Sequence, residues 1–310
     1  MRLRSIIKCI QLRNIIKFIT ICAFILYILC SLNMNLIEKP SISDNYLASL
    51  ENTVIIVRTA HQFHCSRAQA IYNTWYNLTL EKMHIITDKY DKNIFSMFKN
   101  AHTCHCPSGH ELISLCCRAI CEFDLFIREV KKKKFPPLWL CRFDDDQYVH
   151  VPRLIKMLNY YNPAEHHYLG KFSWPPIKVN ISRKTKSGVV RFHTYGAGVC
   201  FSAPTALMLI RFLNRDNLVN RCKMWKMGDD VAIGRIVNTL LNIDSEEIEK
   251  FHSHLKRTQF EHLQDIFKSK NKTLLEEAIT FGFDEYTLFD STINHSVFHQ
   301  MQALHKYFYP

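Results

Sequence analysis

Between Thr53 and Tyr161 the chain alternates short apolar runs with segments of helical period, and this restricts its fold more than any other feature. The run "TVIIVRT", Thr53–Thr59, is compact and β-branched, as expected of a buried strand. Ser66–Tyr76 reads as a helix, "MHIIT" just before Asp88 as a second strand, Leu112 to Glu129 as a helix, and "PLWLCRF" as a third strand. The stretch after it, "VPRLIKMLNYY", is helical again. Strands alternating with helices predict an α/β fold with a largely parallel sheet. At 310 residues, 47% of them hydrophobic, the chain can bury a substantial core as one large domain. Only 8 Gly and 10 Pro, and no internal repeat, speak against a linker-rich multidomain chain.

The N-terminus carries a different pattern. Arg2, Arg4, Lys8, Arg13 and Lys17 precede an uncharged run from Phe18 that extends through Ile37, about 20 residues and enough to cross a bilayer core. A cleaved signal peptide is the competing reading, but no small-x-small cleavage site follows the run. The basic residues before it, against Glu38 and Lys39 after it, orient the N-terminus to the cytosol and the rest to the lumen. The expected organisation is a cytoplasmic tail at 1–17, a transmembrane signal anchor at 18–37, a luminal stem at 38–50 and a luminal domain at 51–310. A luminal chain tolerates disulfides, and nine of the 12 cysteines lie beyond the anchor. Nine is odd, so at least one thiol is free or pairs between chains. Acceptor triplets for N-glycans stand at Asn77, Asn180, Asn271 and Asn294.

Net charge is +12, but the basic residues are spread along the chain, and no nucleic-acid-binding motif accompanies the short run Lys131–Lys134. No nucleic-acid partner is therefore expected. The sharper chemistry is acidic. Asp144, Asp145 and Asp146 follow the strand "LWLCRF" directly, and ligands of open α/β sheets bind at that edge. Three adjacent carboxylates there need a cation or a donor network to offset them, or else form a solvent-facing acidic turn. A second acidic pair, Asp229-Asp230, opens the amphipathic stretch "VAIGRIVNTLL", where carboxylates serve as caps or, if one faces the site, as a base. "FHSH", Phe251–His254, offers imidazole ligands suited to manganese, although two such histidines are more often packing residues. Gly196-Ala197-Gly198 in "TYGAGVCFS" permits close backbone approach to a ligand or a neighbouring element.

The order "WLCRFDDDQYV … YGAGVCFS … GDDVAIG … FHSHL", with "FHCSRAQAIYNTW" upstream, resembles the Fringe family from about Thr53 to at least Leu255. These are β-1,3-N-acetylglucosaminyltransferases that extend O-linked fucose on epidermal-growth-factor-like (EGF-like) repeats. The resemblance implies a GT-A-like glycosyltransferase fold, glycosyltransferase family 31, in a type II Golgi membrane protein with a luminal catalytic domain. It also implies a UDP-GlcNAc donor and an O-fucosylated EGF-like acceptor on a Notch-like protein. Residue by residue, Asp146 and His254 would bind Mn²⁺, Asp145 and Arg67 would contact the donor nucleotide, and Asp230 would be the general base. Two disulfides are implied, Cys106–Cys117 and Cys141–Cys200, leaving Cys65, Cys104, Cys116, Cys121 and Cys222 without assigned partners.

The sequence departs from the family pattern at several places. Tyr195 stands at the first position of a Gly-Gly-Ala-Gly run, Gly228 replaces a Pro, Val231 replaces a Cys, and "GKFSW" replaces Gly-Lys-Pro-Ser. No Cys stands in the final "ALHKYFYP" to complete a C-terminal disulfide. The rival readings are a core 1-type β-1,3-galactosyltransferase and a catalytically silent luminal binding protein.

Overall fold

A computed structural model describes residues 47–109, 111–178, 189–254, 266–267 and 272–310. The expected tail, the anchor, the stem up to residue 46, and Asn180 and Asn271 lie outside the described residues. Among those described, no helix is long and apolar enough to cross a membrane.

The strands are β1 (Thr53–Arg58), β2 (His84–Thr87), β3 (Asn100–Thr103), β4 (Trp139–Asp144), β5 (Gln147–Val149) and β6 (Tyr168–Gly170), followed by β7 (Ile177–Lys178), β8 (Val189–Val190), β9 (Val199–Ser202), β10 (Glu246–Glu247), β11 (Phe251–His252) and β12 (Thr280–Gly282). Seven form the main sheet in the order β10-β6-β9-β4-β1-β2-β3. Only β9 runs against its neighbours β4 and β6; the other pairings are parallel. The architecture is mixed α/β with a parallel-rich central sheet. Helix Leu112–Lys132 turns Ala119, Phe123 and Phe126 into the core against Val54, Ile56 and Leu140 of the sheet. Lys131 and Lys132 fall in its last turn, where positive charge suits the helix dipole.

The chain leaves β1 toward β2 and β3, then returns to set β4 on the other side of β1. The sheet therefore reverses its winding between β1 and β4, the place where α/β sheets open a crevice beyond the strand ends. Arg58 and Asp144 are register partners at that point. A smaller sheet has the order β11-β12-β5, and His254, just beyond β11, lines the crevice. Just past β12, Phe283 donates its amide to the carbonyl of Asp146 at 2.8 Å.

Some elements differ from expectation. "PLWLCRF" supplies the fourth strand, because Asn100–Thr103 forms an edge strand too short and polar to show periodicity. The helix expected over Ser66–Tyr76 begins as a π-turn, His64–Ala68, and its α-helical part ends at Tyr72. There the Thr74 hydroxyl donates to the Ala70 carbonyl at 2.7 Å as the chain turns away.

Four disulfides cross-link this frame. Cys106–Cys117 and Cys141–Cys200 are both formed, the second joining register partners on β4 and β9. Cys104–Cys121 and Cys116–Cys222 add two that the sequence left unassigned. Among the described cysteines Cys65 is free and exposed, which accounts for the odd number.

Candidate active site

The crevice between β1 and β4 is a cleft of about 270 Å³ lined by the acidic triplet, Asp229, Asp230, Arg58, Arg67 and His254 among others. It brings together Arg67, Asp145, Asp146, Asp230 and His254, five residues spread over almost 190 positions of sequence.

The three carboxylates of the triplet have different partners. Asp144 faces two guanidinium groups, Arg142 at 2.9 Å and Arg58 at 3.3 Å. Burial alone would raise its pKa, but Arg142 and Arg58 outweigh that and hold it below the ordinary aspartate value. Asp145 accepts the Thr59 hydroxyl at 2.6 Å and Arg67 at 3.2 Å. Asp146 meets Arg67 through Oδ2 at 3.0 Å, while its Oδ1 is buried without a hydrogen-bond partner. Burial first, and the neighbouring carboxylate second, push both Asp145 and Asp146 up to about 7.

The acidic pair divides in the same way. Asp229 is buried and bonded to Arg58 at 2.6 Å. Asp230 is half-buried, accepts the amide of Val231 at 2.7 Å, and lines the cleft. Burial and then the charge of Asp229 raise it to about 7. Of the histidines in "FHSH", His252 packs against Phe281 and His254 lines the cleft. Burial lowers the pKa of His254, which favours the neutral ring, and its Nδ1 is buried without a partner.

These observations test whether a divalent cation suits the site. Asp146 Oδ1 and His254 Nδ1 are both buried without a hydrogen-bond partner, a condition that a cation held by both would relieve. Five carboxylates line the cleft, those of Asp144, Asp145, Asp146, Asp229 and Asp230, against the three guanidinium groups of Arg58, Arg67 and Arg118. Fully ionised, these groups carry an excess of two negative charges, which matches one divalent ion. An oxygen and imidazole donor set fits Mn²⁺ better than Mg²⁺. The residues fit the group.

A buried charge network beneath the cleft escaped the sequence reading. Arg142 meets Glu122 at 3.3 Å, lies 4.2 Å over the ring of Tyr195, and shares Asp144 with Arg58. The signal was present: an arginine ends each of the buried segments "TVIIVR" and "WLCR", where a charge is tolerated only when paired. Tyr195 fills the place of a family glycine by stacking on Arg142 rather than by entering solvent.

A family model described as Fringe-like matches residues 48–302, a span that includes every residue of the cleft. The Fringe glycosyltransferase of Drosophila melanogaster is 32% identical over 231 residues, 72% of this chain and 54% of that protein. The β-1,3-N-acetylglucosaminyltransferase lunatic fringe of Xenopus laevis is 32% identical over 223 residues, 71% and 58% of the two chains. That of Mus musculus is 30% identical over 239 residues, 76% and 59%. The chain thus spans somewhat more than half the length of these relatives. A solved glycosyltransferase involved in glycosylation of the major capsid of PBCV-1 aligns over 74% of this chain and 94% of its own, at 11% identity and a TM-score of 0.36. That last likeness is too distant to bear on the fold. The match across residues 48–302 settles the kinship: this chain belongs to the Fringe-like family.

Proposed function

We propose that the chain is a metal-dependent, inverting glycosyltransferase of GT-A-like fold. It transfers N-acetylglucosamine from UDP-GlcNAc, in β1,3 linkage, to O-linked fucose on EGF-like repeats of a Notch-like protein. The observation that carries this reading is the convergence of Asp146 Oδ1 and His254 Nδ1, both buried and unpartnered, in the cleft that Asp230 also lines. The names of the relatives supply the sugar and linkage, and the motif order supplies the acceptor.

Asp146 and His254 would hold Mn²⁺, which when bound would neutralise charge on the departing UDP. Arg67 and Asp145 form the wall that receives the nucleotide. Asp230 takes the proton from the acceptor hydroxyl as that oxygen bonds to the anomeric carbon and the bond to UDP breaks. This single displacement inverts the sugar carbon. A carboxylate raised to about 7 is matched to accepting a proton near neutral pH. Asp229, neutralised by Arg58, keeps the base correctly seated at the helix start.

The reading includes the compartment: a single-pass type II Golgi membrane protein anchored by residues 18–37, with residues 51–310 in the lumen. The four disulfides support it, because they persist in an oxidising environment.

The test is transfer by the purified protein, with Mn²⁺ and an O-fucosylated EGF-like acceptor, comparing UDP-GlcNAc, UDP-Gal and UDP-GalNAc with EDTA as control. Selective, EDTA-sensitive use of UDP-GlcNAc is the expected result. Preference for UDP-Gal moves the chain to a core 1-type activity. Manganese-dependent UDP binding without transfer overturns catalysis in favour of a binding role.

A further inference from the structure

Outside the cleft, two histidines and an aspartate converge beside the end of β2. One ligand atom from each of His61, His64 and Asp91 lies within 4.8 Å of the others. We infer that these three side chains form a second metal site, suited to Zn²⁺ and separate from the cleft.

Asp91 divides its oxygens: Oδ1 accepts the amide of Asn93 at 2.8 Å and caps the helix Lys92–Met97, while Oδ2 lies 2.9 Å from His64 Nδ1. On the other edge of the buried His64 ring, Nε2 is 2.7 Å from the Thr87 hydroxyl oxygen. That hydroxyl has its own acceptor in Asp88 Oδ1 at 3.4 Å, leaving Thr87 free to accept from His64 Nε2–H. With Nε2–H so engaged, Nδ1 presents its lone pair beside the Asp91 oxygen, and a cation bound by both replaces the hydrogen bond that otherwise joins them. Fixing one ring nitrogen by an outer hydrogen bond while the other ligates is the usual way a protein orients a metal-bound histidine.

A proton could satisfy His64 and Asp91 alone, but it does not engage His61. That residue is exposed, its ring centroid lies 5.2 Å from that of His64, and its backbone N–H is pinned to Asp88 at 2.8 Å. The spacing His61-x-x-His64 offers two imidazoles from one turn, and Asp91 adds a carboxylate from a second segment. Two nitrogens and an oxygen, with water in the fourth position, suit tetrahedral Zn²⁺; such a set binds Mn²⁺ far more weakly. The cross-linked loop joins Thr59 to Arg67, which bond Asp145 and Asp146, so zinc would stiffen one wall of the cleft.

The inference does not depend on sugar transfer, and its test keeps the two apart. The full-length protein carrying Asp146→Asn and His254→Gln, which removes the cleft ligands, is titrated with Zn²⁺ by calorimetry and with Co²⁺ by visible absorption. Roughly one equivalent of Zn²⁺ binds, Co²⁺ gives the bands of a four-coordinate ion, and Mn²⁺ does not compete. Adding His61→Ala or Asp91→Asn weakens zinc binding by at least about tenfold. His61 is exposed and Asn retains the helix cap, so both variants fold. No zinc uptake in the cleft-disabled protein, or uptake that ignores both substitutions, overturns the site. Zinc uptake by the cleft-disabled protein, beside an unsubstituted protein that transfers no sugar, supports this site while refuting the proposed activity.

Discussion

Asp229 and Asp230 are chain neighbours with the same chemistry, and only their partners separate them. Asp229 is bound to Arg58, whereas Asp230 is left toward the cleft. Asp230→Asn is expected to lower transfer by about 10²–10⁴-fold while leaving manganese-dependent UDP binding intact, as single-turnover and binding assays would check. Arg58 joins Glu122, Asp144 and Asp229; the first two keep Arg142, but Arg58→Met leaves the buried Asp229 without its cation and should cost about 3–5 kcal/mol in urea unfolding. Asp145 and Asp146, raised from 3.8 to about 7, also fix a pH dependence. The folded, metal-free protein holds these protons more tightly than the unfolded chain, so these groups contribute stability at low pH that is lost as pH rises from about 4 to about 7. Manganese held as proposed would need the Asp146 carboxylate deprotonated, so its affinity should rise over pH 6–8 in a calorimetric titration. Nothing in the sequence distinguished Asp229 from Asp230 beyond the family resemblance, because the distinguishing partner, Arg58, lies 171 positions away.

At the scale of elements, the cleft is shaped by where strands end. Gly198 has φ +88°, and a side chain there would meet the ring of Phe143 on β4 at 2.4 Å, so glycine is required where β9 begins. Gly282 on β12 is more consequential. An added methyl would stand 2.8 Å from the His254 amide, 2.9 Å from the Gly196 carbonyl and 3.1 Å from His254 Nδ1. Gly282→Ala is therefore expected to shift the imidazole and weaken manganese binding about 10-fold, the usual scale for a displaced supporting group, as read by calorimetry. Strands β1, β2 and β4 were legible because they are nearly continuous apolar runs. The edge strand β3, "NAHT", was not, because its half-exposed residues obey neither period. The second sheet was equally hidden: strands of two or three residues carry no pattern, and their pairing is made by tertiary contact. So the acidic triplet could be placed at a strand end from sequence, but the wall bearing His254 could not.

For the molecule as a whole, helix Leu112–Lys132 is the hub of covalent linkage. Its Cys116, Cys117 and Cys121 bind Cys222, Cys106 and Cys104. Replacing both Cys116 and Cys222 with Ala is expected to lower stability by about 3–5 kcal/mol, measured by denaturant unfolding, because that bond closes a loop of more than a hundred residues. The adjacent cysteines at the centre of this hub also set an order of events during synthesis. Cys117 looks back 11 residues to a partner already made, whereas Cys116 waits for one 106 residues ahead. At ribosomal speeds of roughly 5–20 residues per second, that wait lasts on the order of 5–20 s. Throughout it, a thiol stands beside a newly closed disulfide and can attack it. Correct connectivity thus depends on thiol exchange outlasting translation, and production of this chain should be unusually sensitive to the supply of disulfide isomerase.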